Sequence, residues 1–343
     1  MKKIFIAIVA LVSSVAASAQ VTEQLTATLQ VGEQTTVFYG NNGFASAVAA
    51  AEDNAIITLS SGYFNNPGRI SKPLKVYGAG FETDTITGIA PTQVSGSITF
   101  DNTDAHVVDG FYLEGIYMDG SIGQANNTAM NNLKVVKCRF TGISFGAESS
   151  QIILRQCKIE GGVNAINSAK VTGLMIQNSY VTDAIGEGFS TESGIVVDHC
   201  ILTARDGNST DLYHGPWYYT NTIINRFIRQ GGVCYNCVGS KNFIERCGTF
   251  ANCYYITAWG TLFADGQNNI DYLKDSKPRS WELAAPTTYV GTDGTPVGPA
   301  GGSYAWNKIP STPRIIQSSI GAQTSADGKL NISIKAEARP VVE

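Results

Sequence analysis

Between Asp183 and Arg229 the chain gathers residue types that can exchange protons and hold charge. One stretch holds Asp183, Glu187 and Glu192, the next Arg205, Asp206, Asp211 and His214, and the next Arg226 and Arg229. Abstracting a proton beside a uronic carboxylate needs a base, and a cation to hold the developing negative charge. Glycoside hydrolysis needs two carboxyl groups at a set separation. Asp183, Glu187, Arg205, Asp206, Asp211 and His214 are therefore the candidate catalytic residues. Tyr213, Arg226 and Arg229 are the candidate ligand contacts, with Tyr213 offering a ring on which a sugar can stack. The same residues would also make an ordinary solvated face. The choice rests on the elements that bring them together. No cofactor is expected: calcium is the ion this chemistry could use, and no motif supports it.

A second chemical signal is Val-Cys-Tyr-Asn-Cys at Val233 to Cys237, in a chain with 7 cysteines. The last four cysteines fall at 234, 237, 247 and 253. The second pair is too widely spaced for a zinc site, and a thioredoxin-like pair needs a strand-to-helix turn. Core positions, or one disulfide, remain.

The positioning elements are repeats. Leu-Lys-Val-Val-Lys-Cys-Arg-Phe from Leu133 aligns with segments starting at Ile152, Leu174, Ile195 and Trp217. Taking the sixth residue as reference gives Cys138, Cys157, Ser179, Cys200 and Thr222, spaced by 19, 22, 21 and 22 residues. The positions five and three before the reference and two after it are apolar throughout, which is strand alternation. The alternation slips at Lys137, Gln156, Asn178, His199 and Asn221, which predicts a tight bend just before the reference. A coil of about 21 residues cannot bury its apolar face alone, but stacked coils can. The expected fold is an all-β, right-handed parallel β-helix with an aliphatic interior and a polar exterior. In it the reference cysteines are small inward rungs. Adjacent Cβ atoms about 4.8 Å apart exceed the usual disulfide spacing, so free buried thiols are expected there. Beyond Thr222 the register is open, because Cys237 would give a coil of only 15 residues.

Asn41 to Asn54 predicts an amphipathic helix with Phe44, Ala47, Val48 and Ala51 on one face and Asn42 as N-cap, fit to cover the end of the solenoid. The run from Asp275 to Trp306 is rich in Gly, Pro and Thr and reads as a covering loop. From Pro313 to Ala338 two strands flank a turn at Asp327-Gly328, a hairpin. The expected organisation is a signal peptide at 1–19, a capped β-helix at 20–270, and a covering loop and hairpin at 271–343.

The helical stretch, the following Ile-Ser-Lys-Pro-Leu-Lys-Val-Tyr-Gly-Ala-Gly from Ile70 and the coils together resemble right-handed parallel β-helix proteins of the pectin-lyase type. The tail from Gly291 resembles that of exported β-helix repeat proteins of Bacteroidetes. The resemblance implies the fold, and a substrate cleft along one face of the coils. It transfers no catalytic residue. The Arg-x-Pro-x-x-Arg pattern of calcium pectate lyases is absent. The polygalacturonase set of Asn-Thr-Asp, Asp-Asp, Gly-His-Gly and Arg-x-Lys is read as absent too: there is no Asp-Asp pair, and the nearest His-Gly is Tyr-His-Gly-Pro at Tyr213.

Lys2, Lys3, a short apolar run and Ala17-Ser18-Ala19 read as an export signal, placing the chain in the periplasm, on the outer surface or in the medium. No later segment is apolar for the ~18 residues a membrane helix needs. A net charge of −4 without a basic stripe argues against nucleic acid. The expected function is polysaccharide engagement along the coil face by a monomer. A lyase or hydrolase with a non-standard site and a structural or adhesive envelope protein are the alternatives.

Overall fold

The fold follows from the repeat, as seen in a computed structural model that describes residues 24–183, 185, 188–203, 217–225, 232–320, 328–329 and 332–338. Successive coils stack their short strands in parallel and in register. Leu113, Val135, Leu154, Ile176, Val197, Tyr219, Cys234 and Phe250 follow one another along the first sheet. That sheet has 12 strands, the second 10, and two smaller ones of 5 and 4 strands complete the coils. The inward columns form one continuous core. The parallel β-helix is thus the architecture expected from the spacing, with a small helix at one end and a hairpin (Arg314–Ile320 with Ile332–Glu337) near the other end of the chain.

The slip column is a row of left-handed bends. Gly115, Lys137, Gln156, Asn178, His199, Asn221, Asn236 and Asn252 all have φ between 45° and 72°. Asparagine tolerates this region better than most residues, because its short side chain can bond locally. The reference column explains its own composition. From Lys137 onward the side chain after the bend donates to the carbonyl two residues earlier: Cys138 to Val136 at 3.2 Å, Ser179 to Gln177 at 2.7 Å, Thr222 to Thr220 at 2.7 Å. A small side chain with one donor serves there, so Cys, Ser and Thr interchange.

The register beyond Thr222 is settled by strand pairing. Ile223 pairs with Val238, and Val238 with Tyr254, so Cys237 and Cys253 continue the reference column. Both donate in the same way, to Tyr235 and Ala251 at 3.5 Å. The short coil is real, and Cys237 is a rung.

At the other end the helix α1 (Gly43–Ala50) buries Phe44, Ala47 and Val48 over the first coils. Asn42 holds the N-cap position but its side chain makes no cap bond, which corrects the expectation. Its Oδ1 instead accepts from Asn65 Nδ2 at 2.7 Å. Two strands not foreseen, β1 (Thr26–Val31) and β2 (Gln34–Tyr39), precede α1 as an antiparallel hairpin that extends the first sheet.

The exterior is not polar throughout. The residues just after the reference point outward on the second sheet, and three of them, Ile201, Ile223 and Val238, are fully buried. They form a second apolar core with Phe263, Tyr272, Trp281 and Val297 of the later chain. From there residues 290–311 run back along the bend column, against the direction of coil stacking. Asn236 Nδ2 donates to Val290 O at 2.9 Å, Thr292 N to Asn221 Oδ1 at 2.7 Å, and Gln156 Nε2 to Ala305 O at 2.6 Å. Between them Asn178 Nδ2 donates to Pro299 O at 3.0 Å and Gly301 O at 2.7 Å. The strap is therefore read off the bend side chains coil by coil.

Asn178→Ala should lose both bonds and the tolerance of positive φ, costing about 2–3 kcal/mol in urea unfolding. Asn178→Gly keeps the backbone freedom and should recover roughly 1 kcal/mol of that. Equal losses in the two variants would deny the bend strain.

Candidate functional site

Of the residues expected to do chemistry, Asp183 alone lies among the described ones. It is half-buried, directly after Thr182 where the chain leaves the second sheet. Glu187, Arg205, Asp206, Asp211, Tyr213, His214, Arg226 and Arg229 lie outside the described residues. Glu192, exposed, pairs with Lys170 at 2.5 Å. His199 is buried in the bend column, its Nε2 3.2 Å from Thr295 Oγ1, as a turn residue held by the strap. His106 is exposed in a turn with φ 52°. Asn102-Thr103-Asp104 spells one polygalacturonase motif, but here it is a turn: Asn102 Oδ1 accepts from Asp104 N at 3.2 Å and Ala105 N at 2.9 Å.

The chemistry-bearing groups that the fold does assemble lie elsewhere, on the outer face of the second sheet. The position after the reference reads Tyr117, Arg139, Lys158 and Tyr180 on successive coils, before it turns apolar at Ile201. Arg139 and Lys158 are stacked like charges, and Glu160, two residues beyond Lys158 on the same face, pairs with both. It accepts from Arg139 Nε at 3.1 Å and Nη2 at 3.0 Å, and lies 2.7 Å from Lys158 Nζ. Arg139 also covers the Tyr117 ring at 4.5 Å. Lys158, only 8% exposed, sits 4.3 Å above the ring of Tyr272.

Tyr272 arrives from the covering segment and closes one wall. Its ring lies 5.5 Å from Tyr180, which stacks on Trp281 at 5.3 Å. Where this cover ends, a groove of about 630 Å³ opens, lined by Lys158, Glu160, Tyr180, Thr182, Asp271 and Tyr272 among others. Burial opposes ionisation of Glu160, but the bonds from Lys158 and Arg139 outweigh it and hold its carboxyl below the usual carboxylate value. Burial raises both the Tyr180 and the Tyr272 phenol, so both stay neutral. With Asp271, which also lines the groove, two carboxylates match the two cations, and the groove adds neutral phenols and the Thr141 and Thr182 hydroxyls. That set recognises a polyhydroxylated ligand by hydrogen bonds and ring contacts. Among the described residues no group of three or more His, Cys, Asp and Glu is placed to hold a metal ion. No helix among them is long and apolar enough to cross a membrane.

Sequence reasoning places the chemistry in the loops after the coils, whereas this site lies on a strand column. The signal was present in the column after the reference, which changes from Arg and Lys to Ile along the coils. Comparison with known protein families, curated proteins and solved structures gives no match.

Proposed function

We propose that this β-helix protein is exported and engages polysaccharide in the groove beside Lys158 and Glu160. The observation that carries the reading is the meeting there of an ion-paired Arg139–Glu160–Lys158 cluster with Tyr180 and Tyr272 on an extended coil face. An open groove across parallel rungs suits a chain ligand that passes over several coils. Because Glu160 and Asp271 together balance the two cations, the ligand that fits best is a neutral glycan rather than a strongly anionic one. The resemblance to pectin-lyase-type proteins and to exported repeat proteins of Bacteroidetes supports export and glycan contact. It does not supply a catalytic set. A capped solenoid buries its own ends, which supports a monomer.

Affinity electrophoresis through gels cast with neutral and with acidic polysaccharides tests the reading. Retardation by at least one neutral glycan, little changed by added salt, is expected. Glu160→Gln should weaken it about tenfold, the equivalent of roughly 1.4 kcal/mol, while the melting temperature shows the variant folded. No retardation on any glycan would end the proposal. Reducing ends or unsaturated uronides released by the wild-type protein would replace it with a catalytic one.

A further inference from the structure

The bend ladder uses Cys138, Cys157, Cys200, Cys237 and Cys253, each donating to the carbonyl two residues back. Two cysteines stand outside it. Cys234 occupies the aliphatic column in which the preceding coils place Val135, Leu154, Ile176, Val197 and Tyr219. Cys247 ends a short 3₁₀ turn (Glu245–Cys247) that follows α2 (Lys241–Ile244). Both are fully buried in the main core. They are neighbours there as free thiols: Cys237 first and then Cys247 beside it, with burial, raise the Cys234 thiol. The backbone places Cys247 independently. Its Sγ lies 3.4 Å from where a Cβ on Gly232 would sit, and Gly232 is two residues before Cys234 on the same inward face.

We infer that Cys234 and Cys247 are a disulfide site that staples α2 and its following turn to the last coils. The pair has what the ladder lacks. Cys237 and Cys253 sit on neighbouring parallel strands, whose Cβ atoms stand about 4.8 Å apart, wider than a disulfide prefers. Cys247 sits on a helical turn and is free of that spacing. The oxidant is a small-molecule disulfide such as oxidised glutathione. One protein thiolate attacks its S–S bond and releases one glutathione thiolate. The second protein thiolate then displaces the other glutathione from the mixed disulfide. Two S–H bonds are lost and one S–S bond forms, with both electrons accepted by glutathione, which leaves as two thiols. Burial makes the reaction slow in the closed molecule, so it proceeds when the end of the solenoid opens.

The test is incubation of the purified full chain with oxidised glutathione in mild urea, followed by alkylation in denaturant and tryptic mapping. The expected result is a loss of two alkylated thiols from the 7 in the chain. The peptide carrying Cys234 should be linked to the one carrying Cys247. The link should persist in the double variant Cys237→Ser, Cys253→Ser, which the ladder accepts because Ser179 already stands in it. It should vanish in Cys247→Ala. Full alkylation of all thiols would overturn the inference, and so would a link that disappears in the double serine variant. Because the oxidant is added, the outcome is independent of export and of glycan binding.

Discussion

Glu114→Ala is expected to cost about 3–5 kcal/mol of stability, because it removes a buried carboxylate that faces a buried lysine and accepts three hydrogen bonds. Glu114 and Lys137 are 0% and 2% exposed at their side chains, 3.7 Å apart on neighbouring coils. The carboxylate also accepts from Tyr112 OH at 2.8 Å, Ser311 N at 2.8 Å and Ser311 Oγ at 2.6 Å. It therefore joins two jobs, neutralising Lys137 and anchoring the far end of the strap. With alanine the buried lysine loses its carboxylate, and Ser311 loses its acceptor. Much of the loss is the cost of keeping the lysine buried without that carboxylate rather than the worth of the pair itself. The double variant Glu114→Leu, Lys137→Met removes both charges and should recover at least half of the loss, since buried pairs are often replaceable by apolar groups of similar volume. Urea unfolding of the single and double variants checks this. A single variant within 1 kcal/mol of wild type, or a double variant no better than the single, would refute the account.

The second large effect is expected at Trp281→Ala. This ring, 1% exposed, stacks on Tyr180 and meets Phe263 edge-on at 5.7 Å. On its other side lies Arg279 at 4.8 Å, itself paired with Asp265 at 2.7 Å. Truncating a buried Trp costs about 3–5 kcal/mol. Here the loss falls on the second core, which holds the covering segment to the outer face of the coils. Alanine also inherits the positive φ of 63° at this position, so no backbone strain is relieved. The covering segment should become sensitive to limited proteolysis while the coil interior stays protected. Since Tyr272 forms a wall of the groove, glycan retardation should disappear with it. Proteolysis unchanged from wild type, or retardation intact in a variant with a loosened cover, would separate the groove from the second core and defeat the argument.

How much of this was legible beforehand can be judged from particular columns. Leu133, Ile152, Leu174, Ile195 and Trp217 declared themselves as rungs, because stacking puts like residues over like at a fixed spacing. Lys137, Gln156, Asn178, His199 and Asn221 declared a bend, because alternation of period two cannot slip without one. Both signals are local and repeated, so the chain states them several times over. The candidate site was not legible in that way. Glu160 is an unremarkable acid until register places it two residues past Lys158 and beside Arg139 of the coil below. The 15-residue coil ending at Cys237 was unreadable for the same reason, since loop length carries no register and strand pairing does.

By itself, then, the sequence determined the parallel coils, the interior rungs, the bend, the capping helix and the terminal hairpin. The tertiary structure decided which outward faces are wet. Gln156 meets Ala305 across 149 residues, and Ser311 meets Glu114 across 197. No periodicity links positions so far apart. Their meeting is set by the apolar surface of Ile201, Ile223 and Val238, which must be covered, and by bend side chains left with donors to satisfy. The groove lies where that cover stops.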